Sequence, residues 1–471
     1  MDLASLGTEV CGMSAVTLET LRWAAEQFGA CELGDARRTR RAVKVAAQMA
    51  ADPQGSTPQQ MHNWGQCKAA YRLLNEEDVT FRGLAEPHWR RTRNCAPGIY
   101  LLLGDTTEFD FGIHRQVRGL GPTGNGGGYG FFLHSSLMVA ADNSEVVGLA
   151  GQAIFHRQPQ PAGESMYARL HRRRESEVWG EVIDLVGRPS EGVKFLHVFD
   201  RGADNFEVFC HLLQQQTGWV VRAAQLTRNL LTPQGKQQPL KDILQTLPLG
   251  GRYELSVRAQ KGQPARTTEV EVRWGLVNVP APHFRTPWLK ELGISSICMW
   301  VVEVRETKPP RGVKPLHWVL YTSEAVESFE DAWRVIGYYE QRPIIEEFHK
   351  GLKTACRLEE RQYESSAPLE SLTGILSVVA VRLLQLRSTA RTEPDRPAEH
   401  VVPRKWLRAL QRLRPTPRTN WTVREFYRQL AGLGGFLGRK GDGEPGWLTL
   451  WRGFEKLAMV MRYEESKAKC G

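Results

Sequence analysis

Residues 101–111 are LLLGDTTEFDF, and residues 194–206 are KFLHVFDRGADNF. In each stretch an apolar, strand-forming run is followed by an aspartate, Asp105 in the first and Asp200 in the second. If the two strands are neighbours, both carboxylates lie within reach of one divalent cation. Each aspartate could instead be a turn residue or a helix N-cap. Spacing alone also leaves open four nearby acidic residues: Glu108, Asp110, Asp204 and Glu347.

The segments around these two stretches predict a mixed α/β sheet. Residues 99–103, 131–141 and 146–155 have the composition of three antiparallel strands. They are followed by segments typical of a helix, a strand, a second helix and a second strand: 176–185, 194–199, 204–216 and 219–222. Three antiparallel strands followed by an αβαβ pattern are typical of a mixed sheet with helices packed against it.

Composition shifts predict a division into domains. Residues 1–75 have the apolar spacing of helices, and residues 225–325 contain several β-rich runs between Pro- and Gly-rich turns. We therefore expect a helical N-terminal domain, an α/β domain, a β-rich insertion and a helical, basic C-terminal domain. Their predicted bounds are 1–75, 76–224 with 326–390, 225–325, and 391–471.

A basic helix is predicted near the N-terminus, where Asp35 is a candidate N-cap. Arg37, Arg41 and Lys44 share one face of that helix, and Arg38 lies at its margin. Such a face is either solvated surface or a surface that rests on phosphates.

The whole chain has 62 Lys and Arg against 52 Asp and Glu, a net charge of +10, which makes a polyanionic partner plausible. Its eight cysteines include no CxxC pair, so zinc fingers and redox motifs are excluded. No secretory signal is evident at the N-terminus. The most apolar stretch, 374–386, is short and contains Arg382, so we expect no membrane span and a cytoplasmic location.

A second informative segment is YEQRPIIEEFHKGLK, residues 339–353. On a helix Tyr339, Arg342, Glu346 and Lys353 form one stripe, an acid flanked by cations, which suits a metal ligand whose neighbours hold a phosphate backbone. The alternative is an exposed helix with an ion pair such as Glu346 with Lys350. Pro343 predicts a kink or a restarted helix after Arg342.

Taken together, these features resemble the DDE transposases of bacteria. The order of strand-end Asp, strand-end Asp and helical Glu, with a β-insertion before the Glu, is similar to their RNase H-like fold. The spacing YxxRxxxExxxxxxK is similar to the YREK signature of the insertion-sequence-four group. Further stretches look like the transposon-five type in particular: LGDARRTRR, AAYRLL, GDTT, FDRGAD, WVVRA, IEEFHKGLKT and SVVAVRLLQLR.

The resemblance implies a role for each matched residue. Asp105, Asp200 and Glu346 would form the catalytic triad that binds two Mg²⁺ ions, with Mn²⁺ as a possible substitute. Trp318 would stack on a flipped base, although core packing is the commoner role of a strand Trp. The remaining matched positions would contact DNA: Tyr339, Arg342, Lys350, Lys353, Arg222, Arg37, Arg38 and Arg41.

By the same resemblance, the C-terminal region would form a homodimer in a synaptic complex, although Trp447, Trp451 and Phe454 could also belong to an ordinary core. The implied activity is cut-and-paste transposition: binding of terminal inverted repeats, nicking, hairpin formation and strand transfer into target double-stranded DNA, in the cytoplasm or nucleoid. Two alternatives are a structure-specific RNase H-like nuclease and a catalytically decayed DNA-binding protein. A generic metal-dependent hydrolase acting on another anion is a more remote alternative.

Overall fold

The structure is a computed structural model that describes residues 16, 18–61, 63–112, 117–124, 127–158, 161–257, 266–402, 404–416, 420–439, 443–446, 449–450, 452–454, 456–457 and 459–461. Within these ranges, helices lie at both ends of the chain and a mixed twelve-stranded sheet lies between them.

The N-terminal helices are α1 (Leu18–Phe28), α2 (Ala36–Ala51), α3 (Thr57–Gln60), α4 (Trp64–Leu74) and α5 (Phe81–Arg93). The N-cap predicted at Asp35 is confirmed, because its carboxylate accepts the Arg37 N–H at 2.7 Å. Helical structure continues past residue 75 into α5. The sequence pattern did not predict α5, because Pro87 and several polar residues interrupt its apolar spacing.

The central strands are β1 (Gly98–Asp110), β2 (Gly121–Thr123), β3 (Gly128–Ala140), β4 (Val146–Phe155), β5 (Val193–Phe199) and β6 (Gly218–Arg222). The helices between them are α6 (Met166–His171), α7 (Glu177–Val186) and α8 (Phe206–Gln214). Five of the strands lie side by side in the order β4-β3-β1-β5-β6. The β4–β3 and β3–β1 pairs are antiparallel, whereas the β1–β5 and β5–β6 pairs are parallel. This arrangement fits an RNase H-like fold and confirms the predicted fold class.

The β-rich region after β6 contains β7 (Asn229–Leu231), β8 (Gln237–Pro239), α9 (Leu240–Thr246), β9 (Leu249–Val257), β10 (Arg266–Pro280), α10 (Pro287–Leu292), β11 (Ser296–Glu306) and β12 (His317–Thr322). These strands extend the central sheet instead of forming a separate one. The connection is β12, which pairs antiparallel with β6 and also with β11. One backbone network therefore joins the β-rich region to the RNase H-like strands.

The chain then forms α11 (Phe329–Glu340), α12 (Pro343–Lys350) and α13 (Ser366–Thr392). Both faces of the central sheet are buried. On β1, Leu102 packs in a cluster with residues of α7, whereas Leu101 and Leu103 belong to the large core that contains α13. Side chains alternate along a strand, so Asp105 lies on the same face as Leu103. Val198 of β5 belongs to that large core as well, which places Asp200 on the same face.

The apolar stretch that the sequence analysis judged too short to cross a membrane is part of a longer helix. Residues Ser366–Gln385 of α13 are long and apolar enough to do so by composition, but 83% of the stretch is buried inside the protein. Its charged residue, Arg382, is buried and lies 4.7 Å from the ring of Trp23 in α1. The helix is therefore a core element of the fold.

The C-terminal elements are α14 (Arg404–Leu413) and α15 (Val423–Leu433). Phe454 is buried and its ring packs 5.1 Å from that of Trp406, so it belongs to an ordinary core. The other two aromatic residues proposed for dimerisation, Trp447 and Trp451, lie outside the described residues.

Candidate active site

The register of two parallel strands brings the first two carboxylates together. Leu103 of β1 lies opposite Val198 of β5, and each aspartate comes two residues later. The sequence predicted Asp105 at the end of its strand, and this is wrong. Strand β1 continues past Asp105 and stays paired with β3 as far as Asp110. Only the pairing with β5 stops before Asp105. The sheet therefore opens between β1 and β5 at the point where Asp105 and Asp200 emerge.

The third carboxylate comes from a helix that restarts, as Pro343 predicts. Helix α11 ends at Glu340 and α12 begins at Pro343, which occupies the first helical position and needs no N–H partner there. Glu346 consequently lies in the first turn of α12, where the helix dipole favours an anion. The predicted single stripe over 339–353 is thus divided between two helices.

The stripe is interrupted again after α12. Gly351–Ala355 form a π-helical turn, in which the Cys356 N–H donates to the Gly351 carbonyl at 3.0 Å. Such turns are frequent at functional sites. This one changes the direction of Lys353 relative to Glu346.

All three carboxylates meet at one guanidinium, that of Arg342. Its Nη1 lies 2.6 Å from Glu346 Oε1, and its Nη2 lies 3.1 Å from Asp105 Oδ2 and 3.4 Å from Asp200 Oδ2. Burial opposes the charge of Arg342, but the facing carboxylates of Asp105 and Asp200 raise its pKa overall. The structure therefore brings together four residues that the sequence predicted to act at one site.

The carboxyl group of Asp105 has a raised pKa. Burial is the main cause that raises its pKa to about 6, and the charges of Asp200 and Glu346 act in the same direction. Arg342 and the Thr106 N–H, at 2.9 Å, act against the shift. Three carboxylates this close together, one of them largely buried, favour a cation between them.

Carboxylate oxygens are the ligands that Mg²⁺ and Mn²⁺ prefer, so the donor set fits the predicted metal. Among the described residues no three acidic, histidine or cysteine side chains are arranged to hold a metal ion. The guanidinium of Arg342 lies between the three carboxylates and would have to move for a cation to reach them.

His349 is a neighbour of this cluster that the sequence pattern did not single out. Its Nδ1 lies 4.0 Å from Asp105 Oδ2, and burial lowers the pKa of its imidazole to about 3. The ring is therefore neutral and helps to exclude water from Asp105. In the sequence, the sign that His349 is buried is its position four residues after Ile345, which puts both residues on the inner face of α12.

Trp318 packs against Tyr339, whose carbonyl accepts the N–H of Arg342 at 3.0 Å. Their rings are 5.5 Å apart at 65°, with Tyr339 buried and Trp318 half-buried on β12. Tyr339 thus lies behind Trp318, and no phosphate contact is needed to explain its position. Trp318 lines a groove of about 620 Å³ together with Arg222, whose Nη2 donates to the His317 carbonyl at 3.1 Å.

Three further cations line the same groove and were not predicted from the sequence: Arg201, Arg266 and Lys314. Arg201 follows Asp200 directly, and that adjacency was a usable signal. Arg266 and Lys314 come from the β-rich region, and only the three-dimensional fold brings them to Trp318.

Lys350 is the last residue of α12, and Lys353 lies in the π-helical turn that follows it. Lys350 is exposed, whereas Lys353 Nζ lies 3.7 Å from Glu359 Oε1 and 5.7 Å from the ring of Phe109. The structure does not place either lysine against the three carboxylates.

The predicted N-terminal cations have different environments. Arg37 is exposed and pairs with Asp35 at 3.2 Å, while Arg41 is partly exposed. Arg38 forms ion pairs with Glu76 at 2.5 Å and Asp78 at 2.6 Å, so it also ties α2 to the segment after α4. These residues are remote in sequence from the carboxylates and belong to the N-terminal helices.

Two family models match the chain. One, described as transposase DNA-binding, matches residues 21–79, and the other, the transposase Tn5 dimerisation domain, matches residues 378–471. Together they support a Tn5-like transposase. The first match covers α1 to α4 with Arg37, Arg38 and Arg41, which supports DNA binding by these helices. The second covers the C-terminal half of α13 and the elements that follow, which supports formation of a homodimer. A DNA-processing enzyme is the activity that such domains imply.

Proposed function

We propose that the protein is a cut-and-paste DDE transposase of the insertion-sequence-four group, with Asp105, Asp200 and Glu346 as its catalytic carboxylates. The observation that supports this most strongly is their convergence on one guanidinium in an RNase H-like sheet, in a chain that carries Tn5-type DNA-binding and dimerisation regions. The protein would bind transposon ends, nick them, form hairpins and join the freed ends to target DNA. It would act as a homodimer in the cytoplasm or nucleoid.

We further propose that the three carboxylates hold two Mg²⁺ ions, or Mn²⁺ in their place. When bound, such ions lower the pKa of an attacking water and stabilise the leaving oxygen of a phosphoryl transfer. The site contributes a water-poor environment, because Asp105, Arg342 and the neutral ring of His349 are all largely buried. Arg342, once displaced from the carboxylates, is in position to pair with a phosphate of the DNA.

The groove beside Trp318 suits the hairpin step. A released 3′-hydroxyl that attacks the opposite strand requires sharply bent DNA, and an extruded base relieves that bend. Trp318 offers an aromatic face, supported from behind by Tyr339, and Arg222 and Arg201 line the same groove. We propose that the extruded base stacks on Trp318. The sugar-phosphate backbone of its strand would lie along these arginines, and Lys350 and Lys353 would contact the neighbouring phosphates.

The first test is a cleavage assay with DNA that carries candidate element ends, in Mg²⁺, in Mn²⁺ and in EDTA. We expect metal-dependent nicks and hairpins from the wild type, and a loss of about 100-fold or more in Glu346→Gln, which keeps end binding. Glu347→Gln is the matched control, because the carboxylate that pairs with Arg342 is that of Glu346, one residue earlier, so the loss of Glu347 should leave cleavage nearly unchanged.

Each other outcome has a defined meaning. End binding by the wild type without cleavage in either metal would indicate a decayed DNA-binding protein. Cleavage that ignores the ends would indicate a structure-specific nuclease. Equal loss in the two variants would contradict the assignment of Glu346.

A further inference from the structure

The loop between β11 and β12 is unusually basic. Residues 307–316 are TKPPRGVKPL, which contain Lys308, Arg311 and Lys314 and no acidic residue. Neither family match covers this loop.

The base of the loop is clamped by buried polar contacts. The Glu306 N–H donates to the Leu316 carbonyl at 2.9 Å, and the Leu316 N–H donates to Glu306 Oε2 at 2.8 Å. The Glu306 side chain is fully buried and pairs with Arg266 at 2.8 Å. The two ends of the loop are therefore held at a fixed separation.

The tip of the loop is a defined turn. The Val313 N–H donates to the Pro310 carbonyl at 3.1 Å, and Gly312 adopts a φ of 76°, which suits the third position of a type II turn. Three prolines restrict φ elsewhere in the loop, at residues 309, 310 and 315. The loop thus presents its cations with little conformational entropy left to lose on binding.

The three cations are exposed and unneutralised. In the described part of the chain no carboxylate forms an ion pair with Lys308, Arg311 or Lys314. Two cations on the neighbouring strands β9 and β10 differ, since Arg252 pairs with Glu271 and Arg266 with Glu306. Positive charge held apart in this way favours an anionic partner.

The loop is next to the candidate active site. Lys314 and Pro315 line the Trp318 groove, and Arg201, which follows Asp200, lines the same groove. A polyanion that occupies the groove would continue directly onto the loop.

We propose that the β11–β12 loop binds the phosphate backbone of the DNA duplex beside the cleavage point, with Lys308, Arg311 and Lys314 each contacting phosphate. This inference rests on the proposed function and adds a contact surface to it. Phosphate contacts of this kind carry no base information, so the loop fixes the position of the duplex and not the choice of sequence. It would hold the flank steady while a base moves onto Trp318.

The test compares Lys308→Gln/Arg311→Gln/Lys314→Gln with a control of equal charge change, Arg188→Gln/Lys236→Gln/Lys290→Gln, whose residues are exposed and outside the loop. Binding of a labelled candidate-end duplex is measured in EDTA by fluorescence anisotropy over a range of salt concentrations. Each lost phosphate contact lowers the slope of log K against log salt by about 0.9, so the loop variant should lose about 2 to 3 in slope. The control should keep the slope of the wild type.

A hydroxyl-radical footprint locates the effect. The loop variant should lose protection at phosphates next to the cleavage point and keep protection over the region bound by the N-terminal helices. Equal slopes and footprints for the loop variant and the wild type would overturn the inference. No DNA binding by the wild type would instead contradict the proposed function, so the two failures are distinguishable. An unchanged melting temperature confirms that the variant is folded.

Discussion

Arg342 is the residue on which the candidate site depends, because it contacts the carboxylates of Asp105, Asp200 and Glu346. Its single positive charge offsets part of their combined negative charge, and truncating it would leave the largely buried Asp105 without a cationic partner. A cation at the same place would release Arg342 for another partner. The contact that we propose between Arg342 and DNA therefore depends on the charge state of the carboxylates.

Asp105 gives a prediction with a definite sign. Its pKa is raised to about 6 in the folded protein, so between about pH 4 and 6 the unfolded chain releases its proton first. Stability from this group is therefore present at pH 4 and is lost as the pH rises through 6. We compare the free energy of unfolding of the wild type with that of Asp105→Asn in EDTA. Between pH 4 and 7 the value for the wild type should fall relative to the variant by about 3 kcal/mol at most.

Denaturant unfolding at a series of pH values measures this difference. Asp142→Asn, in the exposed turn after β3, is the control and should follow the wild type. Parallel pH profiles for wild type and Asp105→Asn would show that Asp105 is not perturbed in the folded protein.

Much of the residue-scale picture can be predicted from the sequence. An apolar run followed by Asp identifies Asp105 and Asp200, and Pro343 identifies the restart that places Glu346 in a first turn. The contact of Arg342 with all three carboxylates could not be predicted, because it depends on where α12 crosses the sheet. The burial of Tyr339 behind Trp318 has the same origin, since the partner comes from a distant strand.

At the scale of elements, the contact between β1 and β5 depends on Gly104. A Cβ at this position would lie 2.2 Å from the ring of Phe199, the residue before Asp200. The absence of a side chain lets the two strands approach where the aspartates emerge. Gly104 is therefore a packing requirement of the site.

We predict that Gly104→Ala destabilises the protein by about 1–3 kcal/mol and lowers cleavage more than end binding, because Phe199 must shift and Asp200 with it. Urea unfolding and a cleavage assay at saturating DNA measure the two effects. Gly337→Ala is the control. Its Cβ meets open space in the interior of α11, so it should stabilise by about 0.5–1 kcal/mol. Unchanged cleavage in Gly104→Ala would contradict the prediction.

Several elements could not be predicted from local pattern. Helix α5 contains Pro87, which hides its periodicity, and the π-helical turn at Gly351–Ala355 has the sequence of an ordinary helix. The strands β2, β7 and β8 have three residues each. They form because neighbouring strands pair with them, and their own β-propensity is too weak to predict them. The long strands and helices, by contrast, were predictable because their apolar spacing extends over several turns or pairs.

Across the described part of the molecule, four buried histidines have strongly lowered pKa values: His88, His134, His197 and His349. Burial is the main cause in each case and lowers the pKa to about 3. An unfolded histidine titrates near 6.5, so below that pH the unfolded state takes up protons that the folded state does not. Stability is therefore full above pH 6.5 and is lost as the pH falls.

His197 offers the clearest test, because neither ring nitrogen has a hydrogen-bond partner among the described residues. When the pH is lowered from 7 to 5, the free energy of unfolding should decrease in both proteins. We predict that the decrease is about 2 kcal/mol smaller in His197→Leu than in the wild type. Thermal unfolding at the two pH values measures the difference. His400→Leu, at an exposed position, should retain the acid sensitivity of the wild type. An equal loss in His197→Leu and wild type would mean that His197 titrates normally.

The pairing of β12 with β6 also covers one edge of the central sheet. Without the β-rich region, one edge of β6 would present unpaired N–H and C=O groups to solvent. Strand edges of that kind recruit other chains and begin aggregates. The β-rich region thus shields the central sheet, and deleting it should yield an insoluble protein instead of a smaller folded one.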